Sequence, residues 1–184
     1  MAAFAPPIEP IGRAPMRIFG LAGWSGSGKT TLMTALIPEF VSRGITVSTI
    51  KHAHHSFDID KPGKDSWRHR QAGAQEVMVA SGQRWALMHE LRGVAEPSLD
   101  SLLARMTPVD LVLVEGFKHH DHPKIEVYRH ALGKTLLHTD DPFVVAIAAD
   151  KRCAEFSIPF LPLSDAAAIA GFILEKTGLG LWRS

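Results

Sequence analysis

The sequence predicts an α/β fold, a mainly parallel twisted sheet with helices on both faces, and three observations carry that reading. A short apolar strand, Met16 to Ala22, runs into a glycine-bearing loop and the first turn of a helix in MRIFGLAGWSGSGKTT. Candidate strands then alternate with candidate helices along the chain. Two strand-length runs, DLVLVE at Asp110 to Glu115 and FVVAIAA at Phe143 to Ala149, are nearly continuous in apolar residues, as strands covered on both faces should be. Within the loop, Gly23, four free positions, Gly28, Lys29 and Thr30 match G-x-x-x-x-G-K-[ST], the Walker A pattern of P-loop NTPases.

The remaining elements follow in order. Thr30 to Arg43 places Leu32, Ala35, Leu36, Phe40 and Val41 at helical spacing, with Pro38 expected to kink or break a turn and Gly44 to end it. Ile45 to Lys51 is β-branched and reads as the second strand. His52 to Lys64 is a long polar passage, the kind of connection that often carries function. A short helix is expected over Ser66 to Ala72, stopped by Gly73, then strands at Glu76 to Ala80 and Arg84 to His89 around Ser81-Gly82. Ser98 caps a helix expected to reach Met106. Lys124 to Arg129 alternates as a further strand, and Phe160 to Leu163 is a short one. The last helix starts from Ser164 or Asp165 and runs to Lys176, with Gly178 closing it.

One domain, from Met16 to Ser184, is the natural expectation for 184 residues, and a 46% hydrophobic content fills a sizeable core. The opening stretch with Pro6, Pro7, Pro10 and Pro15 reads as an irregular arm over residues 1–15 and lacks the pattern of a secretory signal. Twenty basic against nineteen acidic residues leave a formal charge of +1, with no electrostatic footprint for nucleic acid or an anionic membrane. No run approaches the roughly eighteen apolar residues that span a bilayer. The single cysteine, Cys153, makes no internal disulfide and suits a reducing compartment, so a cytoplasmic protein is expected.

The chemistry is expected at the carboxyl ends of the strands. Gly23, Trp24, Ser25, Gly26, Ser27, Gly28, Lys29, Thr30 and Thr31 form the expected nucleotide-binding loop. Its amides converge on an anion, and the following helix adds its positive end. Lys29 reaches the β- and γ-phosphates, and the Thr30 hydroxyl helps to hold Mg²⁺. Trp24 has three readings: a shield for the phosphates, a contact with a second subunit, or a ring resting on neighbouring loop residues.

Glu115, at the end of DLVLVE, is the second metal candidate, against the plainer reading of a charge at a strand end; Asp110 sits at the wrong end. Asp58 and Asp60 join Lys29 in the expected catalytic set, orienting a water or contacting the metal's outer shell. Lys51, Lys61 and Lys64 offer charge for phosphates or for solvent alike. Asp150, after FVVAIAA, either accepts hydrogen bonds from the N1–H and amino group of guanine or caps a helix. The groups His52, His54, His55 and His119, His120, His122 have neither a cysteine partner nor a recognised tetrahedral spacing, which argues against zinc and leaves an anionic ligand or a partner.

Taken together, GWSGSGKTTL, IKHAHHSFDIDKPGKDSWRHRQAGA, SGQRWAL, DLVLVEGFKH and PKIEVYR resemble the molybdopterin-guanine dinucleotide biosynthesis protein B (MobB) family over most of Met16 to Ala170. The resemblance implies a dimeric GTP-binding adapter with at most slow GTP hydrolysis. It would assist a MobA-like guanylyltransferase that joins GMP to molybdopterin, forming the guanine dinucleotide cofactor. It would also place Asp58, Asp60, Lys61, Lys64, Asp65 and Arg68 around the nucleotide or a partner surface, without deciding between them. HALGKTLLHTDD and the proline-rich arm are the least family-like stretches, and nothing is carried onto them. Two other classes compete: a small-molecule kinase or ATP-dependent ligase, for which no compact Arg-rich lid stands out among Arg68, Arg70, Arg84 and Arg92, and a GTPase metallochaperone, favoured only by the histidines.

Overall fold

A computed structural model of the chain describes residues 15–53, 57–117 and 120–181. The expectations for the arm before Pro15 and for His54, His55 and His119 lie outside those residues. In chain order the elements are β1 (Arg17–Ala22), α1 (Lys29–Ser42), β2 (Val47–Lys51), α2 (Asp65–Gln71), β3 (Glu76–Ala80), β4 (Trp85–His89), α3 (Leu99–Leu103), β5 (Leu111–Glu115), β6 (Lys124–Tyr128), β7 (Val144–Ala149), β8 (Phe160–Pro162) and α4 (Ala166–Thr177). They fall into two compact units, one made of the described residues up to His52 and from Thr107 onward, the other of Ala53–Met106.

The first unit holds a six-stranded sheet in the order β2-β5-β1-β6-β7-β8, every neighbouring pair parallel. Such a sheet must be covered on both faces. On one face Phe19, Leu21, Leu111, Leu113, Ile125, Val127, Ala146 and Ala148 meet Leu32, Leu36 and Phe40 of α1 and Ile169 and Ile173 of α4. The two long helices thus share this face. Truncating the fully buried Leu36 or Phe40 to alanine would cost about 2–5 kcal/mol. Opposite, Ile147 and Ala149 pack on Phe156 with Tyr128, Leu136, Cys153, Ile158 and Phe160.

Two elements depart from the pattern reading for local reasons. α1 runs unbroken through Pro38, because the carbonyl the proline leaves unpaired belongs to Thr34, on the helix's exposed side. It closes as predicted at Gly44, φ 73°, with Ile45 N–H bonded to Phe40 O and Gly44 N–H to Val41 O. α3 stops at Leu103 rather than Met106, and its tail tightens into Arg105 N–H to Leu102 O and Met106 N–H to Leu103 O ahead of Pro108. Asp165 caps α4, accepting from Ala168 N–H at 2.9 Å.

The alternation in β6 does not mark a wet face. Lys124 and Glu126 are 1% and 0% exposed. Lys124 Nζ donates to Asp141 Oδ2 at 2.9 Å, and Glu126 accepts from the backbone N–H groups of Leu137 (2.8 Å) and His138 (3.0 Å). A charge tolerates such depth only when paired or hydrogen-bonded.

In the second unit β3 and β4 form an antiparallel hairpin, Met78 opposite Leu87 and Ala80 opposite Trp85. Met78, Trp85 and Leu87 therefore share one side of it, and all three are exposed.

Candidate functional site

The loop between β1 and α1 is built on three glycines at positive φ, the first of which leaves no room for a side chain. Gly23 has φ 144°, and a Cβ there would lie 2.5 Å from Val127 O and 2.7 Å from Ser27 Oγ; Gly26 and Gly28 follow at φ 79° and 99°. Successive residues of this kind turn backbone amides to one side, the geometry of an anion nest. Ser27 N–H closes back on Trp24 O at 3.2 Å, and α1 starts from Gly28, whose carbonyl takes the N–H of Leu32 at 2.9 Å. The ammonium of Lys29 lies across the loop and donates to Gly23 O and Trp24 O, both at 2.9 Å. Ser27 is 1% exposed, and its hydroxyl has no hydrogen-bond partner among the described residues.

The sheet register supplies the next group. Lys51 and Leu21 both stand level with Glu115, so the carboxylate lies beside the strand that feeds the loop. The Thr30 hydroxyl, on the first turn of α1, donates to Glu115 Oε1 and Oε2 at 3.3 and 3.4 Å, and Lys51 Nζ lies 3.7 Å from Oε1. Glu115 is 8% exposed. Two oxygen donors of the sort that hold Mg²⁺ are thus adjacent at the mouth of the nest. Asp110, at the other end of β5, is spent on Thr46, taking its N–H at 2.8 Å and its hydroxyl at 2.6 Å.

The Trp24 indole N–H donates to Thr135 O at 2.8 Å, and Lys134 Nζ stands 5.8 Å from the ring centroid. Arg129 escaped the sequence reading. Its Nε donates to Ser27 O at 3.3 Å, and a Cβ on Gly28 would lie 3.4 Å from its Nη2, so a guanidinium backs the loop. An arginine just past a strand has no local signal that separates it from a solvated charge.

Asp150 follows β7 and begins no helix, which removes the capping alternative. Its Oδ1 takes the Nδ1 of His130 at 2.7 Å, and that bond is the main cause holding the carboxyl below its usual range. His120 and His122 approach through Nδ1 atoms 3.1 Å apart. Burial, with Lys124 next in weight, pulls the His122 imidazole down to about 4. Near them a cavity of about 300 Å³ is lined by Ala22, His120, Asp121, Leu137, Asp140 and Phe143, among others. Among the described residues no three His, Cys, Asp or Glu side chains converge as a metal site.

Asp58 and Asp60 belong to the second unit, where one guanidinium holds both. Arg70 Nη2 lies 2.7 Å from Asp58 Oδ1 and 2.8 Å from Asp60 Oδ1, and Nη1 lies 3.4 Å from Glu90 Oε1. These bonds, Asp60 first, raise the guanidinium further above its ordinary value. Arg70, carried inside the long polar-to-helix block, organises a cavity of about 620 Å³ with Phe57, Ile59, Leu87 and Arg92 in its walls.

Residues 18–150 match the family model described as Molybdopterin guanine dinucleotide synthesis protein B, MobB. The chain is 42% identical over 167 residues to the Molybdopterin-guanine dinucleotide biosynthesis adapter protein of Escherichia coli (strain K12), covering 89% of this chain and 95% of that one. To the protein of the same name from Haemophilus influenzae it is 45% identical over 159 residues, 85% of this chain and 86% of the other. A crystal structure of molybdopterin-guanine biosynthesis protein B (mobB) superposes with a TM-score of 0.66 at 26% identity, over 86% of this chain and 99% of that one. Bacillus subtilis MobB, at 24% identity and a TM-score of 0.67 over 88% and 98% of the two chains, shares the fold. A family model over most of the chain and two relatives above 40% identity agree: the chain belongs to the MobB family.

Proposed function

We propose that the chain is a GTP-binding adapter of molybdenum cofactor biosynthesis, assisting a MobA-like guanylyltransferase that attaches GMP to molybdopterin. The observation that carries the nucleotide half is the glycine nest of Gly23, Gly26 and Gly28 with Lys29 over it and Thr30 against Glu115. The pathway half rests on relatives named as biosynthesis adapters over nearly their whole length.

The loop from Gly23 to Thr31 would receive the triphosphate, and Lys29 would exchange its two carbonyl partners for phosphate oxygens. Thr30 and Glu115 would hold Mg²⁺, which when bound would neutralise phosphate charge. The fit is in the donors: a hydroxyl and a carboxylate, both hard oxygen groups, within 3.4 Å of each other. Asp150, exposed past β7, would read guanine.

A homodimer is supported by the apolar side of the β3–β4 hairpin, where Met78, Trp85 and Leu87 are exposed together. No helix among the described residues is long and apolar enough to cross a membrane, and the proposed place of action is the cytoplasm.

The test is nucleotide binding by the purified protein, GTP against ATP, with and without Mg²⁺. GTP preferred and strengthened by Mg²⁺ is the expected result. Preference for ATP with rapid turnover on a small acceptor would replace the adapter with an enzyme, and affinity for neither would remove the nucleotide altogether.

A further inference from the structure

The connection after β6 brings a second residue to Asp150. Arg129 lies against the phosphate loop through Ser27 O, and the next residue, His130, turns to the end of β7. Its Nδ1 meets Asp150 Oδ1 at 2.7 Å and its backbone N–H reaches the same oxygen at 3.4 Å. Both bonds land on Oδ1, and neither occupies Oδ2.

Three neighbours hold the imidazole in that pose. The Tyr128 ring stands edge-on with centroids 5.0 Å apart, and Phe156 lies at 6.0 Å, tilted by 38°. On the far side Nε2 is in short contact with the Cys153 sulfur. A carboxylate oxygen can only accept, so the bond to Asp150 requires the proton on Nδ1.

Resting on the reading of Asp150 as the guanine contact, we propose that His130 is a positioning residue for nucleotide specificity: it holds Oδ1 and so fixes the rotation of the Asp150 carboxylate that turns Oδ2 to the N1–H and amino group of a guanine base. A carboxylate already locked loses no rotamer freedom when the base arrives. Immobilising one such side chain is worth roughly three- to tenfold in affinity. Oδ1 takes both bonds from His130, and Oδ2, which neither of them occupies, keeps its lone pairs for the ligand.

The experiment compares two substitutions that remove different halves of the histidine. His130→Phe keeps a ring for Tyr128 and Phe156 but has no donor. His130→Asn loses the ring but sets an amide N–H close to where Nδ1 stood. GTP, xanthosine triphosphate and ATP affinities are measured with Mg²⁺ by titration calorimetry, with thermal melts confirming folding.

The expected result is a three- to tenfold loss of GTP affinity in His130→Phe, ATP affinity unmoved, and His130→Asn within about twofold of the parent. GTP binding retained by His130→Phe, or lost equally in both variants, overturns the proposal, since packing alone would then account for the histidine. Asp150→Asn is the separate control. If it leaves the preference for GTP over xanthosine triphosphate unchanged, the base reading itself fails; if it shifts that preference while His130→Phe does not, only the positioning role fails.

Discussion

Replacing Glu115 by glutamine separates the proposed metal role from a structural one. The swap keeps size and shape and removes one charge. The losses to folding are small on the geometry. Lys51 is 60% exposed and 3.7 Å away, an ion pair worth about 0–1 kcal/mol at most. The Thr30 hydroxyl, at 3.3–3.4 Å, can donate to an amide oxygen as well as to a carboxylate. Unfolding in urea should shift by less than about 1 kcal/mol. A carboxylate that orients or completes a metal's shell is worth about 10–100-fold in metal affinity. The Mg²⁺ concentration for half-maximal enhancement of GTP binding should rise by that factor, while affinity without Mg²⁺ stays level or improves as a negative charge near the phosphates is lost. Fluorescent GTP titrated with Mg²⁺ reads both quantities. An unmoved Mg²⁺ midpoint would transfer the role to another carboxylate. Equal weakening with and without the metal would make Glu115 a structural residue and refute the argument.

Three further outcomes are expected. Lys29→Ala should weaken Mg²⁺-GTP binding by about 30- to 1000-fold with an unchanged circular dichroism spectrum, since the loop would lose the ammonium that faces its ligand; full affinity would mean that Lys29 does not touch the phosphates. Glu126→Gln should destabilise the fold by about 2–4 kcal/mol in urea, because an amide NH₂ must confront one of two backbone N–H groups that the carboxylate now accepts, from Leu137 or His138; a cost below about 1 kcal/mol would show that this contact is not maintained. Acid should also act through His122, whose imidazole is held near 4 in the folded chain by burial and by Lys124 and His120 beside it, against an ordinary value of 6.5. The unfolded chain then binds the extra proton first, so stability present above pH 6.5 declines as pH falls toward 4, by up to about 3 kcal/mol. His122→Gln should flatten that part of the stability–pH curve measured by urea unfolding, and an unchanged slope would assign the loss elsewhere.

The strands and helices were readable because each carries its own period and its own stops: the apolar runs of β5 and β7, the αL glycines Gly44 and Gly178 after α1 and α4, the Asp165 cap. The phosphate loop was readable for the same reason, since glycine at Gly23 and Gly28 is demanded by the local backbone before any neighbour is considered. Family-level function was carried by the order of whole motifs, from GWSGSGKTTL to PKIEVYR. Pairing is another matter, because it depends on which chain segments the sheet brings side by side. Thr30 meets Glu115 across 85 positions, Arg129 reaches Ser27 across 102, and His130 finds Asp150 across 20. The commitment of Asp58 and Asp60 to Arg70, and the depth of Lys124 and Glu126 within an alternating strand, were decided in the same way. Local backbone preference selects the elements and the nest; only the parallel register and the loops packed over it choose the partner of each charged side chain, since a charge is satisfied by whatever the fold sets within hydrogen-bonding distance.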